Sequence, residues 1–158
     1  MPKLTPNLWF DKDAEEAANF YAAIFPDSRV DNVSRAPADF PGGHKGDVLT
    51  VNWTMSGQPF TGINGGPEFK FSEAISFQVS CETQDEVDMF WSKLSEGGEE
   101  GPCGWLKDRF GLSWQIVPTA LPRLLGDPDQ EKAQRVMAAM LKMRKIDIAE
   151  LERAAAEA

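Results

Sequence analysis

The chain repeats itself at an offset of 70 residues, and nothing else in it constrains the fold as strongly. Residues Asp13–Tyr21 (DAEEAANFY) and Thr83–Trp91 (TQDEVDMFW) align Glu16 with Glu86, Phe20 with Phe90 and Tyr21 with Trp91; just beyond, Ile24 aligns with Leu94. Both copies place apolar residues at i, i+3/i+4 and i+7, the pattern of a helix with one buried face. Both open on a capping-box pattern, Asp13 with Glu16 and Thr83 with Glu86. In such a box the first side chain accepts from the third helical amide and the glutamate reaches back to the first. Pro26 stops the first helix and Gly97-Gly98 the second.

Each helix follows a short apolar run that reads as a strand, Asn7–Phe10 in the first half and Ile75–Val79 in the second. Further β-prone segments follow each helix. In the first half they are Arg29–Arg35, Asp47–Met55 and Gln58–Asn64, the last two joined by a Ser56-Gly57 hairpin turn. In the second half they are Gly101–Leu106 and Leu112–Val117, joined by an Asp108–Gly111 turn. The order is β-α-β-β-β, twice. The expected boundaries are a first module over 1–66, a second over 67–120 sharing one domain with it, and a helical tail over 121–158. Pro118, Pro122 and Pro128 set the tail apart. It carries Ala133, Val136, Met137, Met140 and Leu141 at helical spacing within Gln130–Lys145. Asp147 with Glu150 then caps a last helix through Leu151. Isolated helices of this length are marginal, so the tail must pack on the body or on a second subunit.

Charge narrows the partners. The chain has 16 Lys+Arg against 25 Asp+Glu, a formal net charge of -9, spread over both halves. With no basic stripe to neutralise phosphates, nucleic acid and anionic membrane surfaces are disfavoured. No apolar run approaches the ~20 residues that span a bilayer. His44 is the one histidine, and Cys81 and Cys103 are far apart. That excludes His-rich or Cys-rich metal sites and leaves a single imidazole for any triad. Two lone cysteines with no leader segment point to a reducing, cytoplasmic setting.

The second-half motif Cys103–Pro118 (CGWLKDRFGLSWQIVP) resembles the PhnB-like branch of the vicinal-oxygen-chelate superfamily, which includes glyoxalase I, bleomycin-resistance proteins and extradiol dioxygenases. Pro6–Phe10, Ala14–Ala17 with Phe20-Tyr21, and the tail residues Met140, Lys142, Met143 and Ile146–Ile148 resemble it too. The resemblance implies an α+β, glyoxalase/bleomycin-resistance-like fold, in which two βαβββ modules form cupped mixed sheets, plus the C-terminal helical tail. Members are often described as 3-demethylubiquinone methyltransferases. Methyl transfer from S-adenosylmethionine would bring a glycine-rich loop between a strand and a helix. Gly62, Gly65 and Gly66 come nearest, but they lead to Pro67. No cofactor is expected.

Metal-dependent relatives hold a divalent ion with His and Glu from four strands. Those positions fall here near Pro6 or Asn7, near Thr61 or Gly62, on Ser76 and on Gln115. None is a strong ligand for Zn²⁺, Ni²⁺ or Fe²⁺, so no metal is expected. His44, in the Gly-rich Pro41–Gly46 loop, reads as an exposed titrating side chain.

Period-2 alternation places Ser76 with Gln78, and Ser113 with Gln115 and Val117, on one face of the second sheet. The candidate ligand-binding residues are Trp53, Ser76, Gln78, Trp105, Ser113 and Gln115. Gln115 either hydrogen-bonds across the pseudo-two-fold to the opposite sheet or orients a small ligand. Trp53, Trp105 and Trp114 either line a pocket or are core. The catalytic candidates are Cys103, Gln115 and Lys107, with Cys103 either an inert thiol or a thiolate favoured by Lys107 and Arg109. Asp108 and Arg109 read as a turn and its solvated partner. The expected function is metal-independent binding of a small, largely apolar ligand in a cleft between the modules. The alternative is an enzyme of the superfamily, or the methyltransferase of its family name, working through non-metal residues. The resemblance also implies a homodimer. The Met137-Met140-Leu141 stripe packs either across the subunit boundary or on its own sheet.

Overall fold

Alanines at 14, 17 and 18 decide how closely the first helix sits on its sheet. The computed structural model describes residues 2–157, which divide into two units between Phe71 and Ser72. The first unit runs β1 (Asn7–Phe10), α1 (Ala14–Ile24), β2 (Arg29–Arg35), β3 (Val48–Met55) and β4 (Gln58–Asn64). Its sheet order is β1-β4-β3-β2, with β1 parallel to β4 and the other pairs antiparallel. The three alanines, with Tyr21, are buried. Small side chains there leave room beneath for Val51, Trp53 and Met55, the inward set of β3. Trp53 lies between two rings, 6.0 Å from Tyr21 and 5.6 Å from Phe60. The hairpin turn forms as expected: Ser56 and Gly57 both have positive φ, 49° and 80°, as a type I′ turn requires.

The cap of α1 is not the expected one. Asp13 makes no side-chain cap bond. Asn64, at the end of β4, supplies it instead. Its Oδ1 accepts from the Ala14 amide at 3.0 Å, while its Nδ2 donates to Val48 O at 3.1 Å. Asn64 is buried, so each polar end needs a partner, and the helix start and β3 provide them.

The second unit runs β5 (Ser76–Cys81), α2 (Gln84–Ser95), β6 (Glu99–Glu100), β7 (Trp105–Lys107) and β8 (Ser113–Pro118). Its sheet order β5-β8-β7-β6 repeats that of the first unit, with β5 parallel to β8. Val87, Phe90, Trp91 and Leu94 of α2 are buried, as are Val79, Cys81, Leu106, Trp114 and Ile116 of the strands. Here the expected box forms with a shift: Thr83 Oγ1 accepts from Glu86 N, but Glu86 returns to the Glu82 amide. The strand expected over Gly101–Leu106 is confined to β7 at its end; β6 lies before it, and the stretch between is a turn in which Cys103 and Gly104 take φ of 57° and 84°.

The tail is three helices: α3 (Ala120–Leu125), α4 (Gln130–Met140) and α5 (Ile148–Ala156). It packs on its own unit. Leu121, Leu124, Val136, Ile146, Leu151 and Ala155 form one buried cluster, with Val117, Leu125, Met140 and Met143 against it. The Met137-Met140-Leu141 stripe is divided: α4 turns Val136 and Met140 inward, and leaves Met137 and Leu141 50% and 58% exposed. Asp147 caps α5 through the Glu150 amide, as expected. Among the described residues no helix is long and apolar enough to cross a membrane.

Candidate functional site

The face of the second sheet away from α2 carries the polar alternation. Strand register fixes which side chains share it: Ser76 opposes Ser113, Gln78 opposes Gln115, Trp105 opposes Gln115, and Lys107 opposes both Ser113 and Glu99. Five of the six expected ligand residues, together with Lys107, therefore stand on one face. Gln115 bonds within its own sheet rather than across the pseudo-two-fold. Its Nε2 donates to Ser76 Oγ at 2.9 Å, a partner on the neighbouring strand of the same sheet. Its Oε1 has no hydrogen bond among the described residues. Gln78 is exposed, with its Nε2 3.4 Å from Ser80 Oγ.

The sixth residue, Trp53, is elsewhere. It is fully buried beneath α1 in the first unit, because β3 alternation gives it the helix side. Trp114 is core too, with its Nε1 donating to Asp108 Oδ2 at 2.8 Å.

One edge of the open face deepens into a pocket of about 510 Å³. Gly101, Pro102 and Trp105 form its wall and Ser113 lies at its floor, with Glu73, Glu99, Glu100 and Lys107 around it. Lys107 pairs with Glu73. That pairing holds the Glu73 carboxyl below its ordinary range and raises the Lys107 ammonium. Both groups are substantially solvated, so water screens the pair and it opens readily. Ser113 is 1% exposed, and its Oγ has no hydrogen-bond partner. A buried hydroxyl without a partner costs about 1–3 kcal/mol. Among the described residues it is a buried polar atom at the pocket whose bonding capacity the fold leaves unused.

The turn that presents this floor is organised by Asp108. Rather than a surface turn residue, it is a buried carboxylate. Its Oδ1 accepts from the amides of Phe110 (2.9 Å) and Leu112 (3.1 Å), and its Oδ2 from the Trp114 indole. Gly111, at φ 88°, supplies the left-handed step that brings Leu112 back to it. The Asp-x-x-Gly-x-x-Trp spacing thus ties Lys107 and Ser113 into adjacent register.

Sequence reasoning missed Glu73, Glu99, Glu100, Gly101 and Pro102. Glu73 precedes β5 in an irregular stretch, where no periodicity marks it. Glu99 would have been found from its cross-strand position opposite Lys107, had the β6–β7 register been readable.

The two cysteines differ. Cys81 is fully buried, and burial, with Glu86 and Glu82 nearby, pushes its thiol up to about 11 from 9.0. Cys103 is partly exposed, in the left-handed turn. Iodoacetamide at neutral to mildly basic pH is expected to label Cys103 alone in the native protein, as mass mapping would show. Label on Cys81 first would contradict this packing. The folded Cys81 keeps its proton where the unfolded thiol has lost it, so stability falls as pH rises from 9 toward about 11. Cys81→Ala removes that part of the slope.

His44 lies in the first unit with its side chain 85% exposed, and its Nδ1 is 3.9 Å from Asp39 Oδ1. Where the resemblance puts metal ligands, Pro6 or Asn7, Thr61 or Gly62, Ser76 and Gln115 offer no imidazole, thiolate or carboxylate. That donor set does not fit a first-row divalent ion. Nor do the residues fit a nucleotide methyl donor. The β1–α1 connection is Asp11-Lys12-Asp13 and the β5–α2 connection is Glu82-Thr83. Neither carries a glycine-rich phosphate cradle.

Comparison with known proteins follows the fold. A family model described as 3-demethylubiquinone-9 3-methyltransferase matches residues 2–117. The PhnB protein from Bacillus cereus, described by the same methyltransferase name, is 35% identical with a TM-score of 0.66. The match covers 75% of this chain and 100% of that one. Protein PA1353 from Pseudomonas aeruginosa has a TM-score of 0.63 at 16% identity, over 75% of this chain and 98% of that one. The fosfomycin resistance protein FosX from Listeria monocytogenes has a TM-score of 0.57 at 14% identity, over 80% and 98%. At such identities the last two speak for the fold alone. No curated protein matches the chain. The family match spans both βαβββ units, from β1 into β8, and with the Bacillus cereus relative it settles membership: the chain belongs to the 3-demethylubiquinone-9 3-methyltransferase family, the PhnB-like branch of the vicinal-oxygen-chelate superfamily.

Proposed function

We propose that the protein binds a small, neutral, largely apolar molecule on the open face of its second sheet, without a metal. The ligand places one hydrogen-bond acceptor, such as a carbonyl oxygen, on Ser113 Oγ. The carrying observation is that this hydroxyl is buried, unpartnered and at the floor of the pocket. Trp105 and Pro102 supply apolar wall. Glu73, Glu99 and Glu100 against Lys107 make the rim acidic, which disfavours anions. Ser113 is buried, so side chains around it must move for a ligand to reach it; Lys107, opposite it in register and held only by the solvated pair with Glu73, is the one we expect to swing aside. The Gln115 amide, oriented by Ser76, is the second polar group a ligand meets. Self-association belongs to the same proposal, with the exposed Met137 and Leu141 of α4 as its candidate surface.

Ser113→Ala separates ligand recognition from stability. Removing an unsatisfied buried hydroxyl is expected to raise the unfolding free energy by about 1 kcal/mol. In isothermal titration, acetophenone is expected to bind the native protein about 3–10-fold more tightly than ethylbenzene, the difference being one net hydrogen bond. In Ser113→Ala that preference disappears. A destabilised variant, or one that keeps the preference, would overturn the proposal.

A further inference from the structure

The pocket wall is held from outside the sheet. Residues 143–148 join α4 to α5 mostly without helix or strand, and both edges of this strap are bonded. On one side the Cys103 amide donates to Met143 O at 2.8 Å and the Gly104 amide to Arg144 O at 2.7 Å. On the other, the Gln84 side chain of α2 clasps the backbone, its Nε2 donating to Ile146 O (3.0 Å) and its Oε1 accepting from Ile148 N (2.8 Å). Lys145 pairs with Asp88, one turn along α2, at 2.9 Å. Ile146 is fully buried, and a Cβ added at Gly104 would lie 3.0 Å from its Cγ1.

Cys103 needs this support. A non-glycine residue in the left-handed region is strained, and persists only where its surroundings hold it. The held turn is the pocket wall: Gly101 N donates to Trp105 O, and Trp105 N to Pro102 O.

We propose that the 143–148 strap is a positioning element of the ligand site, and that Gln84 is its positioning residue. Clasped to α2, the strap fixes the Cys103-Gly104 turn and so sets where Pro102 and Trp105 stand. This rests on the pocket reading given above for its ligand, though not for its mechanics. The strap lies past residue 117, where the family match ends. A segment outside that match therefore tunes a site within it.

The test is Gln84→Met in the full chain, which keeps side-chain volume and deletes both strap bonds together with the Nε2 bond to Asp88 Oδ1 (3.0 Å), with Gln84→Ala as a second variant. Amide exchange at Cys103 and Gly104 is expected to quicken about tenfold relative to Leu106 and Ile116, as loss of a net hydrogen bond allows. The Trp105 indole resonance is expected to move, and acetophenone to bind about 3–10-fold more weakly. Unchanged exchange and an unmoved indole would overturn the proposal whatever binding does. So would a loosened turn and a moved indole with acetophenone affinity unchanged. Failure of acetophenone to bind the native protein would instead count against the pocket reading, while exchange and the indole still judge the strap.

Discussion

Replacing Asp108 with alanine is expected to lower the unfolding free energy by about 3–5 kcal/mol, because it strands donors that the fold cannot otherwise satisfy. The carboxylate receives the Phe110 and Leu112 amides and the Trp114 indole. Leu112 and Trp114 are buried, so water does not readily replace the lost acceptor. The backbone bonds of the turn, Gly111 N to Asp108 O and Asp108 N to Leu112 O, survive the change and are too few to hold it. Asp108→Asn keeps one acceptor oxygen but sets an NH2 against the donors on its other side, so its loss is expected to fall between native and alanine. The measurement is the urea midpoint with the m-value checked for constancy. A loss below about 1 kcal/mol for Asp108→Ala would show that the turn does not depend on this carboxylate.

Leu151→Ala is expected to cost about 3 kcal/mol, in the range of a leucine removed from a closed core. Leu151 has no exposed surface and sits with Leu121, Leu124, Val136 and Ile146. The paired changes Met137→Ala and Leu141→Ala, on the exposed side of α4, are expected to stay within about 0.5 kcal/mol when measured on dilute protein, where self-association through them does not contribute. The contrast tests which face of the tail is core. A large effect at Met137 or Leu141 with a small one at Leu151 would put those two side chains on the inside, and contradict the buried cluster around Leu151.

The sequence made the doubled βαβββ order readable, because helix periodicity and turn chemistry are local. β1, β2 and β4 run over the expected residues. The offset of 70 that aligns the two helices does not align the strands. Gly65 N bonds Phe10 O in the first unit and Thr119 N bonds Cys81 O in the second, which makes Phe10 and Cys81 equivalent, 71 apart. The β1–α1 connection has three residues and the β5–α2 connection two, which absorbs the difference.

What failed was long-range or ambiguous. Asp13 looked like a cap, but Asn64 arrives from the far end of β4, and no local pattern announces it. Met137 and Leu141 share helical spacing with Val136 and Met140; only packing against α3 and α5 decides which pair goes inward. The same held at the site. Alternation correctly put Ser76, Gln78, Ser113 and Gln115 together, since the period of a strand is a backbone property. It could not say that β3 turns Trp53 toward α1, nor that Gln115 would choose Ser76 on its own sheet. The strap was invisible because Gln84, on a helix surface, reads as ordinary solvated polarity.

The most direct test of the site is an amide and indole NMR titration of the full chain with acetophenone. Shifts are expected to concentrate at Glu99–Lys107 and Ser113–Gln115, with the Trp105 indole among the largest, and to shrink at the same residues in Ser113→Ala. Shifts gathered instead on the first unit, around Arg35 and His44, or a titration unaltered by Ser113→Ala, would contradict a ligand site on the second sheet.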